Sequence, residues 1–394
     1  MQSPKRWTVT AQSPDVLLGK PSVEQLGWNE FFDQRFARMG DLPEPEHIDR
    51  DPGDRTISSR VVVGRVIAVH RGRWTVASPD GLIGADLLGI YRLGNPLDVP
   101  AVGDWVRVRL RADEDSKAHA ALAAASASDT KTALLSGTIH DVVPRSSALV
   151  RKTVGGTSDG QVIASNVDIV LIVVPLDADV NPRRIERQLT AVWDSGARPV
   201  LVGTKADLAL PGTIASLEEA AGDVPFAVTS AVSGEGLDKV AHYAQPGVSL
   251  VLLGTSGAGK SSIVNRLVGS EIMATQTVGV AGKGRHTTTH RELLVLPSGA
   301  LLIDTPGMRE LGLWMSGGED GVAATFAEVD EVAEECRFSD CRHELDAGCA
   351  VVAAIKSGAL DPVRVNSWKR LQAEQLANTK RAEARTKNPP KRRR

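Results

Sequence analysis

Aromatic side chains are scarce: seven Trp, six Phe and two Tyr, 4% of 394 residues. A core must rest on Val, Leu, Ile and Ala instead, which suits buried parallel strands with helices on both faces. Cysteine is nearly absent. The three present all fall between 336 and 349, an odd count that argues against a paired disulfide framework and for a reduced, cytoplasmic setting. No apolar run of about 18 residues occurs, so no membrane span is expected. The opening MQSPKRWTVT lacks the apolar stretch of a secretory leader, so none is expected there. Strong net charge is missing too, since 46 basic against 48 acidic residues leave −2. With 42% apolar and 24% charged residues, collagen-like and wholly disordered chains are excluded.

The near-neutrality hides an uneven distribution. Residues 380–394, KRAEARTKNPPKRRR, carry +7, which leaves −9 on the rest. Such a tail is either an arm that meets phosphate or solvated chain without a partner. Length suggests two to three domains at about 150 residues each. Residues 1–59 are polar and partly Pro-rich and read as an extension, with one helix-like piece, VEQLGWNEFFDQRF. Residues 60–146 hold five short β-rich runs, the pattern of an oligonucleotide-binding (OB-type) barrel, with a long Ala/Ser/Asp loop at 112–131. Trp74, Tyr91 and Trp105 are candidates to stack bases, although core positions are the preferred reading. In 147–313 strands and helices alternate, as in a mostly parallel sheet covered on both faces. Residues 314–379 are helical and contain a Cys/His cluster, and 380–394 form a basic, disordered tail.

GTSGAGKS follows the apolar strand SLVLL and precedes a helix, the context a phosphate loop needs. Gly254, Thr255, Ser256, Gly257, Ala258, Gly259, Lys260, Ser261 and Ser262 would cradle phosphates with backbone N–H groups and a helix N-terminus. Lys260 would reach the β- and γ-phosphates and Ser261 would ligate Mg²⁺. DTPG ends the strand ALLI, so Asp304 can hold the Mg²⁺ through water and the Gly307 amide can sense the γ-phosphate. TKAD ends the strand RPVLVG. Asp207 can accept from guanine N1–H and N2–H₂ together, a donor pair adenine lacks, and Lys205 would cover the base or ribose with its stem. Thr204 stands where Asn is usual, and loss of the amide contacts is expected to weaken nucleotide binding. Ser230 and Ala231, at the end of PFAVTSA, match the element that supports guanine O6.

The motif order is inverted relative to an ordinary GTPase, with base-reading strands first and D-x-x-G last. A cut and rejoining of the chain preserves a sheet whose strands need only stay adjacent. D-x-x-G then leads straight into the C-terminal segment, and loss of the γ-phosphate is expected to move that segment. This order, with QVIASNVDIV, NPRRIERQL, GRHTTTHREL, DTPGMRELG and the Cys/His cluster, resembles the ribosome small subunit-dependent GTPase A family of circularly permuted GTPases, over roughly residues 60–375.

Met308 occupies the place where many GTPases put a water-orienting Gln, and it cannot serve. His286, in GRHTTT of the first-switch region, is the candidate to position or deprotonate water, and the resemblance points to the same residue; contact with RNA or solvent is its other reading. Thr287 or Thr288 would complete the Mg²⁺ shell. Cys336, Cys341, His343 and Cys349 form C-x₄-C-x-H-x₅-C, three thiolates and an imidazole suited to one structural Zn²⁺. The resemblance implies a GTP-hydrolysing, cytoplasmic monomer that binds the small ribosomal subunit and its rRNA late in assembly, with conversion of GTP to GDP driving release. Turnover is expected to be slow alone and stimulated by the partner. A nucleotide-gated RNA-binding module with incidental hydrolysis is the alternative. An ATP-dependent kinase is disfavoured by Asp207.

Overall fold

The computed structural model describes residues 21–40, 42, 60–70, 72–89, 91, 95–111, 135–152, 160–269, 291–304, 320–344 and 346–387. Strands β1 (Val61–His70), β2 (Arg73–Ser78), β3 (Gly81–Leu87), β4 (Trp105–Leu110) and β5 (Leu135–Val142) follow one another in the chain. Their hydrogen bonds run β1-β2-β3-β5-β4 and back to β1, with β3 and β5 parallel and the other pairings antiparallel. Closure leaves no free edge. Register shifts at Val66/Ala68 and Arg107/Val108 supply the local bends that so small a barrel needs. Val66, Val76, Ile83, Val106, Val108 and Ile139 fill the interior.

The aromatics of this barrel are structural. Trp105 is fully buried, Trp74 is buried with Nε1 donating to the Pro100 carbonyl at 2.8 Å, and the Tyr91 hydroxyl donates to the His140 carbonyl at 3.2 Å. Part of the polar opening stretch also folds. Helix α1 (Glu30–Ala37) starts at Asn29, whose side chain accepts from the Phe31 amide. Leu26 and Phe32 are buried, and Trp28 meets Trp105 edge-on with centroids 4.7 Å apart. Residues 21–40 therefore pack on the barrel instead of acting as a loose extension.

After a two-stranded ribbon, β6 (Ala148–Lys152) and β7 (Gly160–Ser165), the chain alternates β8 (Ile169–Pro175), α2 (Pro182–Asp194), β9 (Arg198–Thr204), α3 (Thr213–Ala221), β10 (Phe226–Val228), α4 (Leu237–Ala241), β11 (Ser249–Leu253) and α5 (Lys260–Val268), followed by β12 (Arg291–Val295) and β13 (Leu301–Asp304). The sheet order is β10-β9-β8-β11-β13-β12, parallel except for β12. Nearly every residue of IVLIVVP and SLVLL is buried, as expected of strands covered on both faces. Strand β12 also pairs with β1 through Ala68–Glu292 and Val69–Arg291, so barrel and α/β sheet are hydrogen-bonded into one surface.

A buried cation reinforces this junction. Arg65 on β1 donates to the carbonyls of Leu26 (2.5 Å), Gly103 (3.0 Å) and Asn166 (2.9 Å) and to Ser249 Oγ (2.9 Å). Burial pulls its guanidinium down to about 10, opposed by Asp168 and Asp104, so it stays charged at neutral pH.

Of the C-terminal helices α6 (Asp320–Thr325), α7 (Ala327–Glu334), α8 (Ala350–Ser357) and α9 (Pro362–Lys387), α6 and α9 dock on α2, α7 packs on α6, and α8 packs on α7. Gly321 lies so close that a Cβ there would stand 2.5 Å from the Thr190 carbonyl. Thr190 Oγ1 bonds Thr325 Oγ1 at 3.1 Å, and Arg187 reaches Glu374 at 2.6 Å. Arg364 of α9 contacts buried Glu186 at 3.4 Å, bonds Glu328 and the Thr325 carbonyl, and lies over the Phe326 ring. Among the described residues no helix is long and apolar enough to cross a membrane.

Candidate functional site

In an open parallel sheet the carboxyl ends of the strands share one edge, and ligands bind there. Four sequence motifs converge on that edge: the phosphate loop after β11, TKAD at the end of β9, Ser230 just after β10, and Asp304 at the end of β13. Asp304 is described by its backbone place only. His286, Thr287, Thr288 and Gly307 lie outside the described residues, as do Met308 and the 112–131 segment.

The phosphate loop turns through Gly254, Gly257 and Gly259 with φ of +152°, +76° and +90°. At Gly254 a Cβ would stand 2.5 Å from the Val173 carbonyl, so both conformation and space demand glycine. Thr255 is half-buried, Ser256 is exposed and Ala258 is fully buried. Lys260, Ser261 and Ser262 form the first turn of α5 and are half-buried. The N-terminal amides of α5 face the loop with no side-chain cap, which leaves donors for an anion. Lys260 Nζ donates to the loop carbonyls of Gly254 (2.8 Å) and Thr255 (2.6 Å), so the ammonium already sits within the loop.

The TKAD end of the edge is equally ordered. Asp207 Oδ1 accepts from Ser230 Oγ at 2.6 Å, and Ser230 Oγ accepts in turn from the amides of Val232 and Ser233, both at 3.2 Å. Two loops from neighbouring strands are thereby joined, and the carboxylate is held in one orientation. Ala231, next to Ser230, is exposed. Lys205 adopts the left-handed region, φ +59°, and its Nζ pairs with Asp177 Oδ2 at 2.7 Å. Sequence reasoning missed Asp177, although it stands just beyond an apolar strand on the same edge. Thr204 is buried, and its hydroxyl donates to the Ala258 carbonyl of the phosphate loop at 2.6 Å.

The second constellation lies between α7 and α8. One ligand atom each from Cys336, Cys341, His343 and Cys349 falls within 4.8 Å of the others. Cys336 Sγ and Cys349 Sγ approach His343 Nδ1 at 3.5 and 3.6 Å. His343 takes φ +56°, its ring lies tilted at 58° to Trp368 with centroids 5.2 Å apart, and its carbonyl accepts from Lys369 Nζ. Burial, with the nearby Lys369 ammonium, pushes the imidazole below its ordinary value, which favours the neutral ligating form. Desolvation raises the Cys341 thiol to about 12, and Cys349 and Cys336 push the same way. Three thiols so close do not ionise together without a cation among them, and the donor set fits a closed tetrahedral Zn²⁺ site.

A family model described as RsgA GTPase matches residues 142–314. A protein of Syntrophotalea carbinolica named "Small ribosomal subunit biogenesis GTPase RsgA" is 40% identical over 385 residues, 95% of each chain. One of the same name from Streptomyces coelicolor is 43% identical over 330 residues, 82% of this chain and 83% of that one. The crystal structure of YjeQ from Thermotoga maritima matches with a TM-score of 0.56 and 25% identity, covering 80% of this chain and 99% of that one. The crystal structure of YloQ, a circularly permuted GTPase, matches with a TM-score of 0.53 at 22% identity, over 82% and 96% of the two chains, and speaks for the fold. The fold is thus a circularly permuted α/β GTPase fold with an OB-type barrel before it and a helical Cys₃His segment after it, and the chain belongs to the RsgA GTPase family.

Proposed function

We propose that this protein is a cytoplasmic GTPase that binds the small ribosomal subunit and its rRNA late in assembly, as a monomer, and couples conversion of GTP to GDP to its own release. The observation that carries the reading is the placement of a phosphate loop and an Asp207 carboxylate locked by Ser230 on one sheet edge. The names of the relatives supply the ribosomal partner. The barrel, the Cys₃His segment and the basic tail are the RNA-facing parts.

Asp207 accepts from guanine N1–H and N2–H₂, Lys205 covers the base with its stem, and Ser230 and Ala231 support O6. Gly254 to Ser262 wrap the phosphates, and Gly307 senses the γ-phosphate. Ser261, Asp304 and one of Thr287 and Thr288 would hold Mg²⁺, which neutralises phosphate charge; β11 and β13, which deliver Ser261 and Asp304, are paired neighbours. His286 positions or deprotonates the attacking water. Cys336, Cys341, His343 and Cys349 hold one structural Zn²⁺.

A turnover assay with and without isolated small subunits tests the reading. Stimulation is expected, abolished in H286A, with GDP but not ADP competing. Turnover unchanged by subunits would favour an RNA-binding module whose hydrolysis is incidental, and H286A retaining full stimulated hydrolysis would remove that residue from catalysis.

A further inference from the structure

We infer that Thr204 is a positioning residue that clamps the base-reading strand to the phosphate loop, and that guanine is selected here with its N7 unread. The inference rests on the guanine-nucleotide reading above. Thr204 ends β9 at the position where the base-reading motif ordinarily carries a side-chain amide. It is buried, and its single hydroxyl proton has two carbonyls within reach, Ala258 at 2.6 Å and Val174 at 3.4 Å. The shorter contact, to the phosphate loop, takes the proton. Gly259, the next loop residue, approaches closely as well: a Cβ there would stand 3.4 Å from both Cβ and Oγ1 of Thr204. The end of β9 and the loop after β11 are not adjacent strands, because β8 lies between them. Thr204 therefore spans the sheet edge and sets the separation between Asp207 at the base end and Lys260 at the phosphate end.

The same commitment has a consequence for recognition. A carboxamide has two N–H donors and can serve a loop and a ligand together, whereas a hydroxyl has one, and here it is spent. Guanine N7 is an acceptor only. Of the other side chains of this motif, Lys205 holds its Nζ against Asp177, and Asp207 is itself an acceptor held by Ser230. Selection over adenine then falls to Asp207 and to the Ser230–Ala231 backbone. The substrate class this implies is any guanosine triphosphate with an intact N1, N2 and O6 edge, whether or not N7 is present.

The test uses the full-length protein and displacement of a fluorescent guanine nucleotide. For the parent protein, 7-deaza-GTP is expected to compete within about threefold of GTP, well short of the factor of ten that a lost hydrogen bond typically gives. T204V, a near-isostere, is expected to weaken GTP and GDP alike by about tenfold, equivalent to about 1.4 kcal/mol, with the loss in KM more than in kcat. T204S, which keeps the hydroxyl, is expected to restore binding. 7-Deaza-GTP binding tenfold worse than GTP, or T204V binding as the parent does, would overturn the inference. Should T204V fail to fold, the 7-deaza comparison and T204S on its own decide the matter. No binding of GTP by the parent protein at all would instead defeat the guanine-nucleotide reading.

Discussion

A guanidinium as deeply enclosed as Arg65 is tolerated only because its donors are matched. Its acceptors lie 38, 39, 101 and 184 residues away along the chain, on the barrel, on the turn before α1, after β7 and at the start of β11. Replacing it with Met would take this donor from the Leu26 and Asn166 carbonyls and the Ser249 hydroxyl, while the Gly103 carbonyl would keep only Asn166 Nδ2. R65M is expected to lower stability by about 3 kcal/mol or more, read as a fall in melting temperature, with R65K recovering only part because one ammonium cannot fan to four acceptors. None of this is legible in VVVGRVIAVH, which reads as a strand with one polar interruption. Asp207 and Lys260 are the opposite case. Their motifs raise an expectation of guanine and phosphate contacts from the sequence alone, because backbone geometry and donor–acceptor matching tie those residue types to those spacings.

Among the elements, the Cys₃His segment is the one whose donor set could hold a metal. Between Cys336 and Ala350 the described residues form no helix or strand, and the four donors sit at the joint between α7 and α8. Stripping Zn²⁺ with a chelator is expected to increase amide exchange across 336–357 while nucleotide binding persists, since the phosphate loop and TKAD lie elsewhere. Falling pH acts in the same direction. Thiolate ligands take up protons as the metal leaves, and the His343 imidazole, held below its ordinary value by burial and Lys369, takes up its proton only at more acidic pH than a free histidine, so metal retention measured by dialysis is expected to drop as pH falls. The helix α2 carries the other elemental lesson. NPRRIERQL predicts a helix, capped by Asn181 and opened by Pro182. That its Glu186, Arg187 and Thr190 receive the C-terminal helices could not be read from it, because a single amphipathic stripe does not say which neighbour covers it.

At the scale of the molecule, strand adjacency survives the altered chain order: β12-β13-β11-β8-β9-β10 needs no particular start or end. The C-terminal helices meet α2, and the loop before α2 holds Asp177 against Lys205 of TKAD. Protection of 320–387 in hydrogen exchange is expected to differ between GDP and a GTP analogue, and equal protection would show that nucleotide state does not reach these helices. The barrel is joined just as directly, since β1 pairs with β12, the strand that follows the first-switch region.

The sequence by itself determined the nucleotide motifs, the Cys₃His ligand set, the barrel and the mostly parallel sheet. Each rests on short-range rules, namely phosphate-loop spacing, metal-ligand spacing and the periodicity of buried strands. Only the tertiary structure decided that residues 21–40 pack on Trp105, that Arg65 fastens four separate stretches of chain, that Thr204 bonds Ala258 of the phosphate loop, and that α2 meets the C-terminal helices. Those contacts join residues tens to hundreds of positions apart. Burial and hydrogen-bond partnership at such range depend on where the whole chain folds, and no local pattern of residue types encodes them.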